Sequence, residues 1–273
     1  MLARFDEKKN ISLHGIINHR LPAIPFQYYF SVTSSGKFYI SMNATLLFDI
    51  DNTLLKGSKS HRQAFHEGFT QVFGIRGDVE AINPHGKTDR QIITEVLTQN
   101  GVDGETIAEG LNECMGVVAH TFTELVKHEQ LIVLDGVVEL LEFLGSYPLL
   151  LGLVTGNLES IAWEKLQRTG LKKYFFFGGF GSDHSIRSRL VAIALNRARV
   201  HCSKAASYPV FLIGDTPRDI LAGKKAGVLT VAVATGVYTQ DELHRHKPDI
   251  VLSSLKPSEG FEDIIDQLRT AQH

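Results

Sequence analysis

From residue 45 onward the chain alternates short, nearly continuous apolar runs with stretches whose apolar positions recur at helical spacing. The runs occupy residues 45–49, 149–154, 174–177, 210–214, 230–234 and 250–252. None alternates as a strand with one wet face would, so they read as strands covered on both sides, the condition of a parallel sheet. Residues 158–169, 190–199 and 220–226 supply intervening helices. Strand and helix in regular succession predict an α/β domain built on a doubly wound parallel sheet.

Between the first two runs the pattern changes. Residues 61–73, 90–99, 106–128 and 137–144 show helical periodicity with no credible strand among them, and an insertion of that length must pack as its own layer. The expected division is a sheet domain over residues 44–58 and 135–273 and a mainly helical domain over 59–134, hinged near 56–60 and 134–136. Residues 1–43 stand apart as an extension of unknown role. Their aromatic, alternating stretch from 26 to 38 is broken by Thr33-Ser34-Ser35-Gly36, the pattern of a hairpin. Met42 immediately precedes the first core strand, so the extension is read as dispensable or as a start-site artefact, which the intact mass of the native protein distinguishes.

Composition narrows the function classes. The chain has 273 residues, 43% of them hydrophobic and 21% charged, enough apolar material for one large domain or two modest ones. A formal net charge of -2 offers no field to gather nucleic acid or acidic lipid. Cys114 and Cys202 lie far apart in no zinc-ligand spacing, which suits a reducing cytoplasm. No apolar run reaches the roughly 18 to 20 residues of a membrane span, and residues 1–10 lack the apolar core of a secretory signal. A monomer or homodimer that touches neither nucleic acid nor membrane is expected.

The first chemical signal is LLFDIDNTLL, residues 46–55. Strand alternation sends Asp49 and Asp51 to one side at a strand's carboxyl end, where open α/β sheets place their sites. Two acids so close repel unless they share a cation or a proton. A calcium loop of the EF-hand type would need Gly and Glu where Leu54 and Ser60 stand, so that reading fails. A second strand exit carries Thr155, Gly156 and Asn157, a hydroxyl and N–H groups suited either to a phosphate oxygen or to capping a helix. A third, FLIGDTPRDILAGKKAG, places Asp215 and Asp219 four apart on one face of the turn entering a helix.

With these three motifs the chain resembles the haloacid dehalogenase (HAD) superfamily phosphatases, phosphoglycolate phosphatase-like and with a C1-type cap, over residues 45–268. The resemblance implies a Rossmann-like HAD core with an inserted helical cap, and Mg²⁺ as cofactor. It matches Asp49 to the nucleophile that becomes an aspartyl-phosphate, and Asp51 to the general acid and base. Thr155, Gly156 and Asn157 fall to the phosphoryl oxygens. The metal set it implies is Asp49, the Asp51 backbone carbonyl, Asp215 and Asp219, the last as ligand or orienting neighbour. The family's usual Lys before the last acidic motif is absent from GGFGSDHSIRSRLVAIAL. Arg187 is favoured over Arg189 to take its place, since a guanidinium keeps the charge and can grip two oxygens. Asn52 stands where Gly is common and tolerates positive φ.

A cap between the first two motifs implies a small phosphorylated metabolite as substrate. Within it, NPHGKTDRQI, residues 83–92, resembles the family's substrate loop, with Lys87 or Arg90 reaching an anionic leaving group, and Arg62 is a further candidate. The plain alternative has Thr88 or Asp89 capping a helix and Lys87 solvated. Neither the histidines nor residues 178–181 form an HExxH or P-loop pattern. Asp51 argues against a dehalogenase. A phosphonatase, a phosphomutase and a catalytically silent binding protein on the same scaffold remain as alternatives.

Overall fold

The computed structural model describes residues 30–32, 38–40, 44–145, 147, 149–203, 205 and 208–256. Strands β1 (Phe30–Val32) and β2 (Phe38–Ile40) pair antiparallel with Phe30 opposite Ile40, the ladder expected of a hairpin. The remaining expectations for residues 1–43 lie outside the described residues.

From β3 (Ala44–Phe48) the chain enters α1 (Lys59–Phe73), α2 (Asp89–Gln99) and α3 (Gly104–Leu125), then α4 (Val137–Leu144) and β4 (Leu149–Val154). Strand and helix then alternate through α5 (Glu159–Arg168), β5 (Gly178–Gly179), α6 (Arg187–His201), β6 (Val210–Gly214), α7 (Pro217–Ala226), β7 (Leu229–Val233), α8 (Gln240–Arg245) and β8 (Ile250–Leu252). The sheet is parallel throughout, in the order β5-β4-β3-β6-β7-β8. Successive crossovers run outward from β3 on one side and from β6 on the other. The strand order therefore reverses between β3 and β6, and a crevice opens at their carboxyl ends.

Both faces of the sheet are covered. Leu46 and Phe48 of β3 point into a cluster with Leu140, Leu166 and Phe175, whereas Leu47 between them joins Leu190, Ala194 and Leu212 on the opposite face. This is strand alternation with an apolar partner on each side, the reason these runs read as uniformly apolar.

One predicted strand is displaced. Residues 174–177 do not form the edge strand: Lys172–Tyr174 is a 3-10 turn, and the ladder is made by Gly178 and Gly179 opposite Leu153 and Val154. The aromatic run instead plugs the core, with Tyr174, Phe175 and Phe177 buried. The pairing positions are glycines because a Cβ on Gly179 would strike the Leu190 backbone and one on Gly178 would crowd Leu153 and Phe180. A strand detected by its apolar side chains is missed when tight packing requires none. Helix α8 was not anticipated either. It is one short element started by a Thr239 and Glu242 capping box.

The predicted helical insertion forms as α1, α2 and α3, with a short 3-10 turn at Val79–Ala81 and another ending it at Val126–His128. Phe65, Phe69, Ile93, Leu97, Val118 and Phe122 build its apolar cluster, which takes in Leu158 at the start of α5 and Ile161 within it. Helices α1 and α3 approach closely at Gly68, where a Cβ would lie 2.6 Å from Val118 Cγ2.

The two chain crossings into the insertion pair through backbone, the Lys56 N–H donating to Ile132 O at 2.8 Å and the Leu134 N–H to Leu54 O at 3.0 Å, and one side chain adds to that tie. Glu129 accepts hydrogen bonds from the Ser58 hydroxyl at 2.6 Å and from the N–H groups of Lys59 and Ser60 at 2.8 and 2.9 Å. It thus closes the α1 N-terminus, whose cap residue is Ser58. Despite its burial penalty, these bonds hold the Glu129 carboxyl down at about 2. Replacing Glu129 by Gln should lower unfolding free energy by about 1–2 kcal/mol at neutral pH. Because the folded value lies below the unfolded one, the contribution is present above the ordinary Glu value of about 4.3 and disappears as pH falls towards about 2. Denaturation curves of both proteins across that range check it; a pH-independent gap would contradict it.

Candidate active site

Asp49 follows β3 and Asp215 follows β6, so the register that sets Phe48 opposite Ile213 brings both carboxylates to the crevice. The Asp49 N–H donates to the Ile213 carbonyl at 2.9 Å and extends the ladder to the site's edge. Asp219 arrives from the first turn of α7. Its Oδ2 accepts from the Thr216 N–H and hydroxyl at 3.1 and 2.6 Å in a capping box, while Thr216 and Pro217 start the helix. Asp49, Asp215 and Asp219 are buried, each offering an oxygen within 4.8 Å of the others.

Into this cluster points Arg187, the first residue of α6 and 7% exposed. Its Nη2 lies 2.7 Å from Asp49 Oδ1 and 2.6 Å from Asp219 Oδ1, whereas Arg189 is exposed. Three ionised acids against one guanidinium leave two negative charges unbalanced. Burial accordingly raises Asp49, beyond what Arg187 can offset and with Asp219 and Asp51 adding repulsion. Burial raises Asp215 as well, with Asp49 and Asp219 repelling it and Arg187 opposing. Asp215 Oδ2 is buried without a hydrogen-bond partner. An unpartnered carboxylate oxygen inside an all-oxygen, anionic cluster is what a hard divalent cation needs, so Asp49, Asp215 and Asp219 could hold one.

Asp51 is held apart from the three. Its carboxylate accepts from Lys165 Nζ at 2.7 Å on each oxygen and from Asn157 Nδ2 at 2.7 Å. Burial would raise it, but the Lys165 charge, with His61 and the hydrogen bonds of Lys165 and Asn157, leaves it below its ordinary value. Asn52 turns the chain at φ 61°, the positive φ expected of it, and its Oδ1 accepts from the Gly57 N–H.

At the second strand exit Thr155 is fully buried. Its Oγ1 accepts from the Asn157 N–H at 3.3 Å and from Asn157 Nδ2 at 2.9 Å, which leaves the hydroxyl hydrogen to donate onward. A Cβ on Gly156 would strike the Lys87 carbonyl oxygen, so this glycine is the contact point for the loop of residues 83–89.

That loop is docked on the sheet domain. Gly156 O accepts from the Asp89 N–H at 2.8 Å, Arg218 Nη1 donates to His85 O at 2.7 Å, and Arg187 Nη1 donates to Gly86 O at 3.3 Å. Thr88 caps α2 in a capping box with Gln91 and is also 3.4 Å from Ser185 O. Capping is thus real for Thr88, but Lys87 is not solvated: its side chain is 10% exposed and pairs with Glu95. Arg62, exposed, pairs with Glu80 at 3.0 Å. Both line a cavity of about 320 Å³ with Asp49, Asp51, Gly156, Asn157, Arg187 and Asp215; Arg90 is not in its wall. Asp89 reaches across to accept the Leu158 N–H at 2.7 Å and so caps α5.

Two residues of this site went unnoticed in the sequence. Lys165 lies on the buried stripe of α5 with Ile161, Ala162 and Leu166, and His61 on the buried face of α1. A lysine at an apolar helical position was the available signal, because so polar a group is seldom buried without a partner.

A family model described as "Haloacid dehalogenase-like hydrolase" matches residues 46–233. Among curated proteins, "Pyrophosphatase PpaX" of Halalkalibacterium halodurans is 24% identical over 217 residues, 77% of this chain and 93% of that one. "Phosphoglycolate phosphatase" of Pseudomonas savastanoi pv. phaseolicola is 28% identical over 216 residues, 77% of this chain and 76% of that one. The crystal structure of a β-phosphoglucomutase from Clostridium difficile has the same fold, with TM-score 0.64 and 17% identity over 85% of this chain and 99% of that one.

The raised acids make a stability prediction. Because Asp49 and Asp215 hold protons more tightly when folded, the cation-free protein is stabilised by them below the ordinary carboxylate value of about 4 and loses that stability as pH climbs through their raised values. A divalent cation held by these acids would displace those protons. At one Mg²⁺ concentration the cation should therefore raise Tm more at pH 8 than at pH 5.5, the total stabilisation being ~2.7 kcal/mol at whichever pH free Mg²⁺ stands at about 100 Kd. Equal shifts at both pH values, or none, would contradict the assignment.

Proposed function

The chain belongs to the haloacid dehalogenase-like hydrolases, and we propose that within them it is a Mg²⁺-dependent phosphatase that hydrolyses a small phosphorylated metabolite through an aspartyl-phosphate on Asp49. The observation carrying this reading is the buried cluster of Asp49, Asp215 and Asp219 with Arg187 Nη2 at 2.7 Å from the Asp49 carboxylate. Mg²⁺ held by these acids and the Asp51 carbonyl would supply a Lewis acid that offsets repulsion between a carboxylate and a phosphoryl group.

The residues then divide the work. Asp49 forms the bond to phosphorus as the ester P–O bond breaks, and Asp51 hands a proton to the departing oxygen. Asp51 next takes a proton from water as that water attacks phosphorus, releasing phosphate and restoring the Asp49 carboxylate. Its depressed value in the free protein suits this second role; the negative charge of a bound phosphate would push the carboxyl up for the first. Arg187 stays charged, its guanidinium raised further by Asp219 and Asp49 against the burial penalty, and stabilises phosphoryl oxygens in place of the family's usual lysine. The Thr155 hydroxyl hydrogen and the N–H groups of Gly156 and Asn157 are suited to the same oxygens.

The helical insertion, residues 59–134, acts in this reading as a cap hinged at 56–60 and 134–136. A cavity of about 320 Å³ walled by both units suits a phosphoglycolate- or sugar-phosphate-sized ester rather than a polymer. Lys87 and Arg62 meet the leaving group there. The names of the two curated relatives support a small phosphorylated substrate. Two widely spaced cysteines, and the lack among the described residues of any helix long and apolar enough to cross a membrane, fit a cytoplasmic role.

Phosphate release from a panel of phosphometabolites with Mg²⁺ tests the reading, phosphoglycolate and small sugar phosphates first. Asp49→Asn should abolish turnover, and Asp51→Asn should lower kcat by roughly 10²- to 10⁴-fold. Undiminished hydrolysis by the Asp49 variant would refute the covalent route, and silence of the wild type across the whole panel would refute phosphatase activity.

A further inference from the structure

Lys165 is 1% exposed, and an ammonium that deep costs several kcal/mol unless every hydrogen is used. Here all are. Nζ donates to the Asp51 carboxylate at 2.7 Å, to Asn157 Oδ1 at 2.6 Å and to His61 Nδ1 at 3.2 Å. Because an ammonium has no lone pair, His61 Nδ1 must accept, and hydrogen-bond complementarity places the ring hydrogen on Nε2, 3.2 Å from Asp89 Oδ2. His61 is stacked on Phe65 at 4.9 Å and edge-on to Phe122 at 5.6 Å, so its ring is not free to turn. The chain Asp51, Lys165, His61, Asp89 thus joins the loop after β3 to α5, α1 and α2, and ends on the N–H that starts α5.

We propose that Lys165 is a positioning residue for the acid/base carboxylate, locking Asp51 in one orientation between α5 and the helical insertion. The proposal rests on the phosphatase reading above. Asp51 sits on a loop where nothing but Lys165 and Asn157 grips its side chain among the described residues. Proton delivery to a leaving oxygen demands a fixed donor position, and a displacement of about 1 Å can cost 10²-fold in rate. A lysine on a rigid helix, itself fixed by an imidazole from a second helix, supplies that position. The alternative is that Lys165 merely balances a buried charge and cements α5 to α1. In that case its loss would disturb every substrate alike.

Leaving groups separate the two. Nitrophenolate departs without a proton, whereas an alkoxide needs one, and kcat/KM reports the steps up to P–O cleavage. With Mg²⁺-loaded protein, Lys165→Met should lower kcat/KM for glycerol 1-phosphate by about 10²-fold or more while leaving that for p-nitrophenyl phosphate within about 5-fold. Should that variant not fold, His61→Leu removes the acceptor that steadies the ammonium and should give the same asymmetry in weaker form. Equal losses on both esters, or no loss on either, would overturn the positioning role while the phosphatase reading stands. If glycerol 1-phosphate is not turned over, the best alkyl phosphate of the panel takes its place, and a wild type inactive on the whole panel and on p-nitrophenyl phosphate would bring down the two together.

Discussion

Three carboxylates that would separate in water are forced together here by backbone register. Asp49 and Asp215 leave adjacent parallel strands at the same level, and Asp219 is drawn in by a capping box it shares with Thr216. Burial strengthens their mutual repulsion by lowering the local dielectric, and a single guanidinium relieves only part of it. The rest of the site answers this constraint. Arg187 sits at the first turn of α6 where its charge reaches two of the acids, and the fourth acid, Asp51, is drawn away by a cation of its own. A fold that keeps such a cluster needs the hydrophobic layers on both sheet faces to hold it closed, since neither the acids nor their partners stabilise the assembly outright.

The sequence was most legible where chemistry coincided with a strand exit. Asp49, Thr155 and Asp215 each end an apolar run, and parallel pairing carried all three to one edge without further information. Arg187 was legible only through the resemblance, as one of two arginines on a segment that lacks the family's usual lysine. What escaped depends on packing between distant segments. Lys165 and His61 are separated by 104 positions, and neither is chemical until α1 lies against α5. The edge strand escaped for the opposite reason: Gly178 and Gly179 pair, yet contribute no side chain to an apolar pattern.

The insertion is joined to the sheet domain by more than its two chain crossings. Its apolar cluster absorbs Leu158 and Ile161, and Asp89 at the start of α2 supplies the cap that α5 lacks of its own. Polar and apolar contacts therefore favour the same closed arrangement, while Glu129 gathers both crossings at one point. In the proposed cap reading, opening would have to break the former set.

The docking of residues 83–89 is written largely in main-chain acceptors: His85 O, Gly86 O, Gly156 O and Ser185 O. A seam of that kind is blind to most side-chain identities. His85 and Lys87 can be replaced without removing the main-chain acceptors that seat the loop, provided Gly86 and Gly156 stay bare. If Lys87 meets the leaving group as proposed, selectivity on this scaffold is portable, rewritten by swapping a few side chains on a mount that need not be rebuilt.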